Sequence, residues 1–163
     1  MTVKSDRTKF NDVVKEFRFA MLTTMSKEGE FHARPMSVAE IKPDSTVYFA
    51  TSLKSPKVEE ISRDSNVVII FQNSSQFATL TGRASTTQER TLIDRLWSET
   101  WRVWFPGGKD DPDLCLIAVE PERGELWDQS GLQGISYLLE SIKAVASGVK
   151  PISNSDQHSK VTL

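Results

Sequence analysis

Thr46-Val47-Tyr48-Phe49-Ala50-Thr51-Ser52-Leu53-Lys54-Ser55-Pro56-Lys57-Val58-Glu59-Glu60-Ile61 contains the change of pattern from which the rest of the chain can be read. Thr46 to Thr51 is rich in β-branched and aromatic residues, as a strand requires. Ser55 then has the chemistry of a helix N-cap, and Pro56 suits the first helical position. A strand therefore runs into the N-terminus of a short helix. Upstream, the segment from Ala20 to Ser26 is β-prone, Lys27 to Glu30 reads as a turn, and Phe31 to Ile41 returns as the second arm of a hairpin. Pro35 lies inside that arm and cannot donate to a sheet ladder, so it marks an edge or a bulge. Lys42-Pro43-Asp44-Ser45 is a further turn. These three strands form a meander.

Downstream, Asn66 to Gln72 is an almost wholly apolar run, the pattern of a strand covered on both faces. Asn73-Ser74-Ser75 turns the chain into Gln76 to Ser85, where Gly82 marks a bulge. Thr86-Thr87-Gln88-Glu89 matches a capping box, followed by a helix carrying Leu92, Ile93, Leu96, Trp97 and Trp101 on one face. Trp104 to Asp113 is a loop dense in helix breakers. Leu114 to Val119 and Gly124 to Trp127 read as two more strands. Phe10, Val13, Val14 and Phe17 predict an N-terminal helix, and Ile135, Leu138, Leu139, Ile142 and Val145 a C-terminal one. About seven strands and three or four helices result, with strands following one another through short turns. That order excludes a βαβ repeat and favours a mainly β fold, an antiparallel barrel or sandwich with helices outside.

At 163 residues, 38% of them hydrophobic, the chain fits one domain. The reading assigns 1–146 to that domain and 147–163 to a polar, frayed tail. With 20 Lys and Arg against 22 Asp and Glu, the formal charge of -2 gives no broad field for nucleic acid or anionic lipid. Any anion site must be local. No run approaches the roughly 20 apolar residues of a membrane span, and the lone Cys115 suits a reducing compartment, so a cytoplasmic location is expected. Two histidines, His32 and His158, with one cysteine give little basis for a metal site.

The local anion site is best placed at Ser55-Pro56-Lys57. A helix N-terminus offers free N–H groups and the positive end of the helix dipole, here beside a hydroxyl and an ammonium. Thr51 can add a second hydroxyl from the strand end. Arg34, on the neighbouring strand of the meander, has a planar fork suited to phosphate. On spacing alone the plainer reading is the favoured one, with Ser55 a cap and Lys57 and Arg34 solvated surface charges.

Phe31-His32-Ala33-Arg34-Pro35-Met36-Ser37-Val38 and Val47 to Lys57 closely resemble two blocks of the pyridoxamine 5'-phosphate oxidase-like family of FMN-binding split barrels. Trp104-Phe105-Pro106-Gly107-Gly108, Asp111-Pro112-Asp113-Leu114 and Glu125-Leu126-Trp127-Asp128 resemble its general stress protein branch. The resemblance implies an antiparallel Greek-key split β-barrel of the FMN-binding type. It further implies a homodimer with the flavin at the subunit interface, and a small-molecule electron donor or substrate. FMN is the implied cofactor, with FAD the alternative flavin. By position, Arg34, Ser55 and Lys57 would bind the phosphate, with Thr51 and Ala50 beside them. The backbone of Pro35, Met36 and Ser37 would run along the isoalloxazine ring. Phe77, Trp104 and Trp127 would flank it, Trp127 from the partner subunit. The oxidases follow that Trp with an Arg-x-His stretch that binds substrate phosphate, whereas Gln129 to Tyr137 here contains no Arg, Lys or His. This argues against pyridoxamine phosphate oxidation. It leaves an FMN-dependent oxidoreductase linked to stress response, or a non-catalytic flavin binder.

Overall fold

Alternation of buried and half-buried side chains along successive strands winds this chain into a barrel. The structure is a computed structural model that describes residues 6–128 and 158–163. The elements are α1 (Asp6–Val14), β1 (Phe19–Met25), β2 (Phe31–Ile41), β3 (Val47–Ser52), α2 (Pro56–Arg63), β4 (Asn66–Gln72), β5 (Gln76–Thr87), α3 (Arg90–Leu96), β6 (Leu114–Asp128) and β7 (His158–Thr162). Two 3-10 turns, Glu99–Val103 and Gly108–Asp110, lie between α3 and β6. The sheet order is β3-β2-β1-β4-β5-β6-β7, and a further β3–β6 pairing closes six antiparallel strands into a barrel.

Leu22 of β1, Val47 and Phe49 of β3, Val67, Ile69 and Phe71 of β4, and Ala78 and Leu80 of β5 point inward and are buried. α1 closes the end of the barrel at the β2–β3 turn, where Phe10 and Val14 are fully buried and Ser45 Oγ donates to Asn11 Oδ1 at 3.3 Å. At the other end lies α2, with Ile61 and Glu60 buried beneath it. A second apolar cluster lies outside the wall, where Ile93, Trp101 and Phe105 cover Leu114 and Leu116. Arg95 of α3 holds Glu40 of β2 through two bonds of 2.6 and 2.8 Å, which anchors that cover.

Five expectations change. α3 ends at Trp97, whose extended backbone (ψ 132) stops the helix, and the chain continues as a 3-10 turn. The capping box does not form, because the β-branched Thr86 and Thr87 extend β5 opposite Ile117 and Leu116. The two strands expected after the loop are one, β6, which absorbs its polar middle as a bulge: Gly82 pairs with Pro121 and Thr81 with Arg123, leaving Glu122 over. The 147–163 segment is not a polar tail throughout, since His158–Thr162 pairs with β6 and Val161 and Leu163 pack on the core. β4 is covered on its inner face, while Val68 and Ile70 are only half-buried outside. The doubly buried strand is the first half of β6. The helix expected over 135–145 lies outside the described residues. Among those residues, no helix is long and apolar enough to cross a membrane.

Candidate functional site

Ser55 occupies the N-cap of α2 in an extended conformation (φ -71, ψ 135), but its hydroxyl makes no capping bond. Instead Lys57 Nζ donates to Ser55 Oγ at 2.5 Å and to Thr51 Oγ1 at 3.2 Å. Three of the four side chains assigned to a phosphate thus converge at one helix N-terminus. The Lys57 ammonium is partly buried; that burial, and then the positive charge of Arg34, push its pKa below the ordinary lysine value. A half-desolvated cation beside a second cation is relieved by an anion, so the corner is suited to one.

The corner forms one end of a cavity of about 450 Å³. Ala50, Thr51 and Ser52 of β3 line it together with Pro35, Met36 and Ser37 of β2, and Trp101, Trp104 and Phe105 supply an aromatic wall. The shape follows from how β2 is paired. From Phe31 to Ser37 it bonds to β1, but it meets β3 only from Val38 onward, with a register shift between Val38 and Glu40. One edge of Arg34 to Ser37 is therefore open, with no strand pairing along it among the described residues, and Pro35 has no N–H to lose there. The expectation of an edge at Pro35 holds in this local sense. Trp104 stands at the rim, 69% exposed, while Trp101 and Phe105 are buried behind it.

Arg34 behaves differently from the sequence expectation. Its fork does not line the cavity; Nη1 donates to Thr24 Oγ1 at 2.5 Å and Nη2 to Glu60 Oε2 at 2.9 Å. Glu60, 6% exposed, also accepts Thr24 Oγ1 at 2.5 Å. His32 Nδ1 lies 2.7 Å from Glu60 Oε1, and as an ionised carboxylate only accepts, the ring nitrogen is the donor. Burial alone would push this carboxyl up, yet the bonds from Thr24, His32 and Arg34 together hold it down at about 2. Sequence reasoning missed Glu60. The signal was there in the spacing of Lys57, Glu60 and Ile61, which places all three on one face of a helix.

Phe77 and Trp127 are also absent from the cavity. They face each other across the β5–β6 ladder, flanking the inward-pointing Ala78 and Leu126. On β6, Ala50 of the cavity floor pairs with Leu116. Trp127 lies on the order of 35 Å of strand further along, at about 3.3 Å per residue. One copy of the chain cannot bring it to its own cavity. Of the eleven residues singled out, eight line the cavity: Pro35, Met36, Ser37, Ala50, Thr51, Ser55, Lys57 and Trp104. Ser52, Trp101 and Phe105 complete the lining and were not foreseen as site residues. Cys115, paired with Thr51, is fully buried, and burial pushes its thiol up to about 11, so it is an inert core residue.

Relatives share this architecture. General stress protein 26 of Bacillus subtilis (strain 168) is 31% identical over 127 residues, covering 75% of this chain and 88% of the relative. Among solved structures, a Jannaschia sp. CCS1 protein assigned to general stress protein 26 superposes with a TM-score of 0.71 at 25% identity, covering 96% of both chains. The general stress FMN/FAD binding protein of Xanthomonas citri superposes with a TM-score of 0.67 at 28% identity, covering 79% of this chain and 92% of its own. The family described as pyridoxamine 5'-phosphate oxidase like matches residues 5–151. With the whole six-stranded barrel inside that match, the chain belongs to the pyridoxamine 5'-phosphate oxidase-like family and has its split-barrel fold.

Proposed function

We propose that the protein binds FMN in this cavity as a homodimer and uses it as a flavin-dependent oxidoreductase of the stress-response branch. One observation carries the reading: an anion corner at a helix N-terminus stands at the end of a cavity floored by an unpaired strand edge. A flavin mononucleotide requires both, a phosphate site and a hydrogen-bonding edge beside a planar ring. In this reading Thr51, Ser55 and Lys57 hold the phosphate. The open backbone edge of Pro35 to Ser37 meets the polar rim of the ring, while Met36 and Ala50 give it an apolar floor. Trp104 shields it from water. Bound there, the flavin would supply hydride and single-electron chemistry that no side chain can. Lys57, the one ionisable residue in the described lining, acts by charge and hydrogen bonding. Phe77 and Trp127 would come to the cavity from the second copy, which is the reason for a dimer.

Titrating the purified full chain with FMN, FAD and riboflavin, followed by flavin fluorescence, tests the assignment. Saturation near one FMN per chain, with FMN bound more tightly than riboflavin, is expected; no flavin binding overturns it. Mixing the FMN-loaded protein with NADH or NADPH without oxygen then separates enzyme from binder. Bleaching at a useful rate supports the oxidoreductase. An unchanged spectrum with both donors supports a flavin-binding protein without turnover, a second reading favoured by a lining with only one ionisable side chain.

A further inference from the structure

We infer that Asp111 is a positioning residue for the flavin site: its carboxylate fixes the spacing between the aromatic wall and the phosphate corner, so that ring and phosphate can be held at once. The inference rests on the flavin reading above and extends it to a side chain outside the cavity lining.

The loop from Trp104 to Asp113 carries the aromatic wall at one end and a support of the corner at the other. Asp111 joins those ends. Its Oδ2 accepts the Gly107 N–H at 3.2 Å, two residues past Phe105, and its Oδ1 accepts the Asp113 N–H at 3.0 Å. Asp113 in turn grips the turn between β3 and α2. Its carbonyl accepts the Leu53 N–H at 2.7 Å, and its carboxylate binds Lys54 Nζ at 2.7 Å. Leu53 and Lys54 stand between Ser52 and Ser55, which both line the cavity. One chain of hydrogen bonds therefore runs from the wall to the corner through a single carboxylate. Gln88 and Arg90 also hold this loop, but they bond to Lys109, Asp110, Pro112 and Leu114, away from its aromatic end. The Lys54–Asp113 ion pair is exposed and adds little by itself, so the main-chain bonds at Leu53, Gly107 and Asp113 carry the spacing. A ligand that uses only the wall can shift with it. A ligand that uses wall and corner together feels a misplacement on the order of 1 Å between them.

FMN spans both ends, whereas riboflavin lacks the phosphate, so the ratio of their affinities reads the spacing. The full chain and its Asp111→Ala, Asp111→Asn, Lys57→Ala and Asp111→Ala/Lys57→Ala variants are titrated with both flavins, and folding is checked by circular dichroism. Asp111→Ala is expected to weaken FMN about five-fold and leave riboflavin nearly unchanged, a coupling of ordinary size for linked groups. Asp111→Asn is nearly isosteric, and whichever way its amide is turned, one of the two N–H groups loses its acceptor; its FMN-to-riboflavin ratio should fall about three-fold. Both variants remove a negative charge, which by itself would favour FMN, so a fall in the ratio cannot come from charge. With Lys57 already replaced, Asp111→Ala should cost FMN less than about two-fold, because no phosphate grip is left to misalign. A residue that merely stabilised the loop would weaken both flavins alike, and by the same factor in either background. That result in folded variants overturns the inference. So does an unchanged ratio in Asp111→Asn, which decides the matter if Asp111→Ala does not fold. A wild-type chain that binds FMN no better than riboflavin shows instead that the corner is not a flavin-phosphate site, and the inference falls with that reading.

Discussion

Lys57 and Glu60 sit one turn apart on α2 and respond to burial in opposite ways. Lys57 is partly desolvated, and its two bonds go to hydroxyls rather than to a carboxylate, so its charge remains available to a ligand. Lys57→Ala is therefore expected to weaken FMN binding by about 2 kcal/mol while leaving riboflavin nearly unaffected, the scale of one charge-assisted hydrogen bond. Equal losses for both flavins in a calorimetric titration would remove Lys57 from the phosphate. Glu60 has a folded pKa of about 2 against an ordinary 4.5. A carboxyl whose pKa is depressed on folding adds stability above its unfolded pKa and loses it as pH falls toward the folded one. The window is therefore pH 4.5 down to 2, and the full contribution is on the order of 3 kcal/mol. Because Glu60→Gln cannot titrate, the stability difference between wild type and variant should shift by about 2 kcal/mol in favour of the variant between pH 7 and pH 3 in urea unfolding. Parallel pH profiles would show that the carboxylate is not held as described. Little of this pairing could be read from the sequence. Glu60 meets Thr24 and Arg34 across 36 and 26 residues, a separation that no local pattern reports.

Elements shaped by local chemistry were legible, and those shaped by distant partners were not. α2 begins at Pro56, and β4 spans Asn66–Gln72, because Pro at the first helical turn and an unbroken β-branched run each specify their own backbone. Leu92, Ile93, Leu96, Trp97 and Trp101 do share one buried face, but helical spacing alone could not show the chain leaving the α-helix at Trp97. Glu120-Pro121-Glu122-Arg123 reads as a turn by its polarity, yet the ladder to β5 carries it through as strand. Gly82 makes that possible: a Cβ there would lie 2.1 Å from the Glu120 carbonyl oxygen. Backbone cannot yield as a flexible side chain would, so Gly82→Ala is expected to cost about 3 kcal/mol, the upper range for overpacking, and to lower the melting temperature. Gly29→Ala is the matched control. It has a positive φ of 82 but nothing within 4 Å of the added carbon, and should cost only about 1 kcal/mol. Similar melting temperatures for the two variants would show that the bulge is not closely packed.

Seen as a whole, the barrel buries its inner wall and covers the outside of Leu114 and Leu116, while among the described residues the apolar side chains on the outer face of β1, β4 and β5 belong to neither buried cluster. Phe19 and Phe77 are 66% and 38% exposed there, and Met21 and Ile70, paired with each other, are only half-buried. Apolar side chains grouped on one exposed sheet face are the kind of surface that a partner covers. This face also carries Phe77, which the family resemblance assigns to a cavity that its own chain does not bring within reach. A second copy seated on it would cover the exposed face and complete the cavity in a single step. Ile70→Glu tests whether the two are linked. The side chain points away from the core, so the barrel should fold with a near-wild-type circular dichroism spectrum. A glutamate facing its symmetry mate adds two like charges at a desolvating contact, enough to separate subunits held by a mainly apolar surface. The variant should elute as a monomer in light-scattering chromatography and lose at least about ten-fold in FMN affinity, because each cavity then lacks its partner's aromatic wall. Monomers that bind FMN as well as wild type would show that the cavity is complete within one chain. A variant that remains dimeric would place the contact on another face.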